Sequence, residues 1–231
     1  MKTKLSQFLR DEWLQLLLLV LPALAAFASM PFATDRVPMQ WGADGRVNWT
    51  APKEWGLAIL PLTTFLIFGL VFWLESRDPA RHRDADGSLS SHGKATRSIR
   101  LGISAMLGAV TLIQIAAALG RHPDVSRLVP TLVALLIAFL GNFFGKLKPN
   151  RYVGIRVPWT MKSENVWRIT HRIAGWLYTA SSLIFLVCIW LLPSSAQQLL
   201  FMAWIFVLVV VPIIIAWRAA AAERAASTMM K

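Results

Sequence analysis

The stretch KPNRYVGIRVPWTMKSENVWRITHR, residues 148–172, holds the side chains best suited to chemistry, because it contains a serine, a glutamate and a histidine. A histidine beside a serine or a carboxylate can activate a nucleophile or transfer a proton. Ser163 and His171, however, are eight residues apart, which is about 12 Å along a helix. Glu164 and His171 share a helix face but lie two turns apart. This is not the spacing of a catalytic pair, so we expect a protein that binds rather than an enzyme, with no cofactor.

The backbone of this stretch is restricted, and its charge is strongly positive. Pro149 and Pro158 limit the local backbone conformation, and Gly154 permits a left-handed one. The residues that favour an extended run between them are Tyr152, Val153, Ile155 and Val157. Residues 146–172 carry seven basic residues and one acidic residue. The charge fits membrane topology and contact with anionic lipid headgroups, whereas the turn residues favour a recognition surface for a partner or ligand.

A helix is predicted directly after these turns. Ser163 can cap its first turn, where Glu164 also lies and where the helix dipole favours a negative charge. The helical spacing places four residues on one face: Trp167, Thr170, His171 and Ala174. The pattern predicts a structured re-entrant or surface-lying loop, followed by an interfacial helix that continues into an apolar stretch.

The elements that position this stretch are membrane spans. The chain is 56% hydrophobic with a mean hydropathy of +0.53, and its apolar residues occur in blocks. A spanning helix needs roughly 20 mostly apolar residues and pairs its backbone groups internally. Six stretches qualify: 13–32, 55–74, 99–119, 128–145, 174–192 and 198–217. The predicted fold class is therefore all-α, a polytopic membrane helical bundle with six transmembrane helices.

The lysines and arginines determine the predicted orientation. With a cytoplasmic N-terminus, 19 of the 24 fall on the cytoplasmic side, so both termini are predicted to be cytoplasmic. The same distribution accounts for the net charge of +12 without a basic domain, so no direct nucleic-acid partner is predicted. The single cysteine, Cys188, provides neither a disulfide nor a cysteine-based metal cluster. His82 and His92 have no ligand spacing around them, so no metal site is predicted.

The predicted domain organisation has three parts. Residues 1–74 form an N-terminal two-span unit with an extracytoplasmic loop at 34–54. Residues 75–98 are rich in mixed charge, serine and glycine, which is typical of a mobile cytoplasmic loop. Residues 99–231 form a four-span unit that contains the structured cytoplasmic loop 146–172.

The loop between the first two spans, TDRVPMQWGADGRVNWTAPKEW, also carries a pattern. Its ADG sequence predicts a tight turn, and the following RVNW predicts a short extended segment. Trp41 and Trp49 flank that turn. Two interpretations are open: the tryptophans lie at the headgroup level, or the loop is a small folded cap on the outer surface.

Two polar residues, Gln114 and Asn142, are predicted within or near the bilayer, where such groups usually face another helix. Asn142 lies between Gly141 and Gly145, whose small-xxx-small spacing allows two helices to approach closely.

In these two loops the sequence resembles the SdpI-type family of bacterial immunity proteins, and the resemblance covers most of the chain. The family's signature runs approximately N-x-x-x-G-I-R-T-P-W-T-L and then S-x-x-V-W-x-x-T-H-R. The residues that fit it are Asn150, Gly154, Ile155, Arg156, Pro158, Trp159, Thr160, Ser163, Val166, Trp167, Thr170, His171 and Arg172. The outer loop is similar to the domain of unknown function usually found in the same family, with a pattern like P-x-H-W-x-x-x-G that Pro38, Trp41 and Gly45 fit. Val157 and Gln40 depart from these patterns, since threonine and histidine are common there.

The resemblance implies a multi-pass protein of the bacterial plasma membrane that confers immunity to a secreted peptide toxin and signals by holding a transcriptional repressor at the membrane. We expect it to act by binding. The expected partners are therefore membrane lipids, a peptide toxin and a repressor at the cytoplasmic face.

The candidate binding residues lie mainly in the basic stretch: Asn142, Asn150, Arg151, Gly154, Arg156, Pro158, Trp159, Thr160, Glu164, Trp167, His171 and Arg172. The outer-loop candidates are Pro38, Gln40, Trp41 and Gly45. We expect Arg156 to be the polar anchor of the basic loop and Trp159 and Trp167 to be its apolar anchors. His171 is expected to link the loop to the spans by hydrogen bonds.

Two other functions remain open on these residues. The first is a membrane enzyme or transporter whose basic loop binds a lipid headgroup or a small anion. It would need acids or metal ligands near the loop, where the sequence shows only Glu164. The second is a signalling scaffold that docks a repressor on the cytoplasmic face.

Overall fold

The computed structural model describes residues 2–42, 45–78 and 88–229, without the side chains of residues 2–10 and 229. The helices are α1 (Lys2–Ser29), α2 (Lys53–Ser76), α3 (Ser91–Ala118), α4 (Val125–Phe144), α5 (Pro158–Lys162), α6 (Glu164–Leu191) and α7 (Ser194–Met229), with a 3-10 turn at Met30–Phe32. Strands β1 (Arg36–Trp41) and β2 (Val47–Pro52) form a hairpin between α1 and α2. All the helices except α5 contain a segment long and apolar enough to cross a membrane. The predicted all-α membrane fold with six spanning helices is confirmed, with a two-stranded sheet in addition.

Helix α3 begins earlier than the sequence indicates. Ser90 caps it, because its Oγ accepts the backbone N–H of Gly93 at 3.1 Å. Residues 91–98, which the sequence prediction places in the loop 75–98, are therefore helical. Residues 79–87, which include His82, lie outside the described residues.

The chain forms two compact units. The first comprises Met1–Val71 and Arg100–Leu132, and the second comprises Phe72–Ile99 and Val133–Lys231. The boundary between them falls within α2, α3 and α4. The division of the chain at residues 74 and 98, predicted from the sequence, stays a prediction.

In the first unit, the hairpin packs against helices through one face of β1. The strands are antiparallel, with Val37 opposite Ala51, and their register shifts directly after Pro38, which has no N–H to donate. Val37 is 0% exposed. It joins an apolar cluster with Ala26, Ala33, Leu57, Ile115 and Ala118.

Buried polar pairs join α1 to α3 in the same unit. Arg100 Nη2 donates to both carboxylate oxygens of Glu12 at 3.0 Å. Gln15 Nε2 donates to Ser104 Oγ at 2.6 Å. Within a bilayer such groups would be costly without partners, so these contacts fix how α1 and α3 face each other.

In the second unit, α4, α6 and α7 share an apolar core formed by Ala134, Phe185, Ile189, Trp204 and Leu208.

Helices α4 and α6 cross at two glycines. A Cβ atom added to either Gly141 or Gly175 would lie 2.6 Å from the carbonyl oxygen of the other. The sequence prediction of close helix packing is therefore confirmed at Gly141, where only hydrogen fits.

Candidate functional site

The centre of the site is a pair of stacked rings on the first turns of α6. The rings of Trp167 and His171 are nearly parallel, with their centroids 4.0 Å apart and an interplanar angle of 17°. Both side chains are buried, and the ring of Phe144 lies against His171 at 5.8 Å. We call the Trp167–His171 pair the ring platform. It exists because α6 places residues i and i+4 on one face.

Residues 145–157, which we call the anchored loop, lie on this platform. Gly154 has a φ of +120°, and a Cβ added to it would lie 2.5 Å from His171 Nε2 and 3.0 Å from the Trp167 ring. The next residue, Ile155, donates its backbone N–H to His171 Nε2 at 2.9 Å. Glycine is therefore required at position 154 both for its backbone conformation and for its contact with the platform.

Both nitrogens of His171 bind backbone groups. Because Nε2 accepts from Ile155, the ring proton is assigned to Nδ1, which donates to the carbonyl oxygen of Trp167 at 2.9 Å. The indole N–H of Trp167 donates to the carbonyl oxygen of Leu147 at 2.7 Å. The expected role of His171 as a hydrogen-bonding link matches this geometry: the ring joins the anchored loop to α6.

Asn150 organises the turn in the middle of the anchored loop. Its side-chain oxygen accepts the backbone N–H groups of Tyr152 and Val153, both at 2.8 Å. Its amide nitrogen donates to the carbonyl oxygens of Lys148 and Val153 at 2.8 and 3.0 Å. The buried side chain of Asn150 thus binds backbone groups of the turn that would otherwise have no partner.

Helix α5 closes the loop, and the sequence analysis missed it. Pro158 begins the helix, where its fixed φ is favourable. The buried hydroxyl of Thr160 accepts the N–H of Val157 at 3.1 Å and donates to the carbonyl oxygen of Ile155 at 2.7 Å. The predicted extended run over residues 152–157 is not a strand, because these backbone groups are bound by side chains instead of by a neighbouring strand.

The predicted start of α6 is confirmed. Ser163 caps it by accepting the N–H of Val166 at 3.2 Å, and its hydroxyl donates to the Glu223 carboxylate of α7 at 2.8 Å. The predicted face of Trp167, Thr170, His171 and Ala174 is fully buried. The cap therefore fixes both the register of the ring platform and its contact with α7.

His92 is a residue of this site that sequence reasoning did not find. It is fully buried at the start of α3, where its Nδ1 accepts the N–H of Lys148 at 3.2 Å. Its Nε2 lies 2.8 Å from the buried carboxylate of Asp78. No local signal reveals this, since its two partners are 14 and 56 residues away in the chain.

Several predicted site residues point away from the platform. Arg151, Arg156 and Glu164 are exposed, as is Pro158, and Trp159 is half-buried. The expectation that Arg156 anchors the loop is therefore wrong in this structure: Asn150, Thr160 and the ring platform provide the anchoring contacts.

Two further predicted residues, Asn142 and Arg172, are exposed and line a groove between α4 and α6. Asn142 donates to the carbonyl oxygen of Ala138 in its own helix at 2.9 Å instead of to a facing helix. Gln114, by contrast, donates to the carbonyl oxygen of Gly56 in α2 at 3.1 Å, as predicted for a polar residue in a span.

The outer-loop candidates lie in the hairpin of the first unit. Gly45 has a φ of +76° in the turn, and its N–H donates to the carbonyl oxygen of Gly42. Pro38 and Trp41 are half-buried and Gln40 is exposed. The predicted extended segment is present in β2, but β1 as its partner strand was not predicted. Ala43 and Asp44 of the ADG turn lie outside the described residues.

The comparison with known proteins gives matches to both regions. Residues 146–216 match the model of the SdpI/YfhL protein family, and residues 17–65 match that of a domain of unknown function, DUF1648. A curated protein of Bacillus subtilis (strain 168), "Immunity protein SdpI", is 21% identical over 173 residues, which cover 72% of this chain and 75% of that protein. No solved structure matches the chain. The family resemblance read from the sequence motifs is confirmed.

Proposed function

We propose, on the premise that this chain is a multi-pass membrane protein of the SdpI/YfhL family, that it confers resistance to a secreted peptide toxin by binding. The observation that carries the proposal is the family match over residues 146–216, which coincides with the platform-bearing helix and the anchored loop. The name of the Bacillus subtilis relative supports the same role. Both nitrogens of the site's central histidine bind backbone groups, so neither is free to act as an acid or a base. The proposal therefore includes no step of covalent chemistry.

The proposed location is the bacterial plasma membrane, with both termini in the cytoplasm. The count of 19 cytoplasmic basic residues out of 24 supports this orientation. It places the hairpin outside and the anchored loop inside. In a Cys188→Ser background, Asn48→Cys should react with a membrane-impermeant maleimide in whole cells and Arg151→Cys should react only after permeabilisation. The opposite pattern would reverse the orientation.

The proposed toxin contact is the outward face of the hairpin. Val47 and Trp49 of β2 are exposed, and Trp49 is 54% exposed although it is large and apolar. A two-stranded sheet also has unpaired strand edges, which can accept an extended peptide. These features support binding of an apolar peptide at this surface.

The anchored loop is proposed to support the bundle and to present a second surface to a cytoplasmic repressor. The exposed arginines of the loop, Arg151 and Arg156, form that surface together with the half-buried Trp159 of α5. If Arg156→Ala and Trp159→Ala left both the protein level and the protection unchanged, this surface would have no role in immunity.

The experiment that tests the function is toxin challenge. The full chain is expressed in a sensitive bacterium, the cells are exposed to an SdpC-type peptide toxin, and the membrane potential is followed. The wild type should preserve the potential. Collapse of the potential despite a normal level of the protein in the membrane would refute immunity.

The hairpin contact is tested with a matched pair of variants. Trp49→Ala should lose protection, whereas Trp217→Ala should retain it, although Trp217 on α7 is similarly exposed at 52%. Equal protection by the two variants, with immunity intact in the wild type, would reject the hairpin as the toxin site while leaving the function standing.

A further inference from the structure

The crossing of α4 and α6 leaves an open groove in the second unit. Gly141 and Gly175 bring the two backbones into contact, and beside this contact lies a groove of about 350 Å³. A volume of this size is typical of small-molecule and cofactor sites. The ring platform does not line it, and of the anchored loop only the first two residues, Gly145 and Lys146, do.

Two cations stand at one end of the groove. Lys146 follows the last turn of α4, and Arg172 lies on α6 beside Gly145, whose added Cβ would be 3.9 Å from the Arg172 Cα. Both side chains are exposed. In the part of the chain that the structure describes, neither forms a salt bridge, and Lys146 Nζ lies over the Phe143 ring at 5.2 Å. Among the described residues, this end of the groove therefore carries a positive charge that no carboxylate neutralises.

Besides these cations, the groove is lined by Asn142, Trp176, Thr179 and three glycines. Trp176, one turn beyond Arg172 on α6, lines the side of the groove and is 74% exposed. The hydroxyl of Thr179, further along α6, donates to the carbonyl oxygen of Ala138 at 3.3 Å, so it has a partner within the protein. The wall opposite is Gly141. The groove thus combines two cations, an exposed tryptophan and the glycines of the helix crossing, which suit the phosphate, the interfacial region and an acyl chain of a phospholipid.

We propose that this groove binds one anionic glycerophospholipid. Its phosphate lies between Lys146 and Arg172, and an acyl chain follows the groove past Gly175 and Thr179. Lateral opening between two spanning helices favours a lipid over a soluble phosphate, because the chain then stays in contact with the bilayer. Basic pockets between spanning helices are a recurrent arrangement for anionic headgroups. This site is separate from the proposed toxin contact.

The test is lipid retention by the purified full chain. The protein is equilibrated with equal amounts of phosphatidylglycerol and phosphatidylethanolamine, and the lipids that it retains are counted by native mass spectrometry. The wild type should retain one phosphatidylglycerol preferentially. Lys146→Gln with Arg172→Gln should reduce that preference roughly tenfold or more, since each cation near an anionic headgroup contributes appreciably to binding.

Matched variants separate the site from overall charge. Lys162→Gln with Arg168→Gln removes the same charge from exposed residues that do not line the groove, and it should leave the preference intact. The charge-keeping pair Lys146→Arg with Arg172→Lys should also retain it. If the double glutamine variant does not fold, each single variant should show a partial loss.

Three results would overturn the proposal. One is an unchanged preference in the Lys146→Gln, Arg172→Gln protein. Another is an equal loss in the Lys162→Gln, Arg168→Gln control, which would indicate general charge attraction. The third is displacement of the bound lipid by soluble glycerol phosphate at similar concentration, which would assign the site to a free phosphate.

Discussion

The hairpin and the anchored loop are two small non-helical regions that are held in different ways. The hairpin satisfies its backbone by strand pairing and buries Val37 in an apolar cluster. The anchored loop has no strand partner, and side chains bind its backbone groups one at a time: Asn150, Thr160, Trp167 and His171. A paired strand accepts many sequences with the right alternation, because its backbone groups bind each other, whereas hydrogen bonds from individual side chains require particular residues. This difference explains why the motif in the loop is dense and the motif in the hairpin is sparse.

The largest loss of stability in the anchored loop is expected for a substitution at Gly154. We expect Gly154→Ala to destabilise the loop by about 3 kcal/mol. The new methyl group would clash with His171, and the backbone conformation at this position is strained for any residue other than glycine. The melting temperature in detergent and the rate of tryptic cleavage at Arg151 and Arg156 would measure this. Gly120→Ala is the control, since Gly120 has a φ of +76° and open space around it. It should cost only about 1 kcal/mol, and an equal effect of the two variants would show that the platform contact is unimportant.

The contribution of hydrogen bonding can be separated from ring stacking at His171. His171→Phe keeps an aromatic ring against Trp167 but removes the acceptor for the Ile155 N–H. We expect a loss of about 2 kcal/mol, which is the cost of leaving a buried donor without a partner. Thermal unfolding would measure the loss. A variant as stable as the wild type would mean that stacking alone holds the loop.

The hairpin should respond to apolar truncation instead. Val37→Ala is expected to cost about 1.5 kcal/mol, since it removes two buried methyl groups and leaves a cavity. Val47→Ala, on the exposed side of β2, should cost almost nothing. Circular dichroism melting of both variants would test this. If Val47→Ala were the more damaging change, the hairpin would be held by its outer face.

The smallest expected effect on stability is at Arg156. Arg156→Gln should leave the melting temperature unchanged, because the side chain is exposed and the loop is anchored elsewhere. Asn150→Asp at the centre of the turn loses the two hydrogen bonds that the amide donates, so it provides the destabilised reference. A large fall in the melting temperature of Arg156→Gln would support the anchoring role that the sequence analysis assigned to Arg156.

Local signals in the sequence predicted the spanning helices but not the contacts between residues far apart in the chain. The six spans, the Ser163 cap and the buried face of α6 follow from residues close together in the chain. The contact between His92 and Lys148 does not, because the fold brings these residues together from positions 56 apart. Helix α5 and strand β1 were missed although their signals are local: Pro158 at the first turn of α5, and the neighbouring strand β2. Gly154 illustrates the limit: its freedom of conformation was predicted, but the reason for it is a contact with His171, 17 residues later.

Hydrogen exchange can show whether individual side chains hold the anchored loop on the ring platform. The backbone amides of Tyr152, Val153, Ile155 and Val157 all donate to side chains. They should exchange slowly in the wild type, and His171→Phe should selectively accelerate Ile155. If all four amides of the wild type exchanged at the rate of an unstructured loop, side chains would not hold the backbone of the anchored loop.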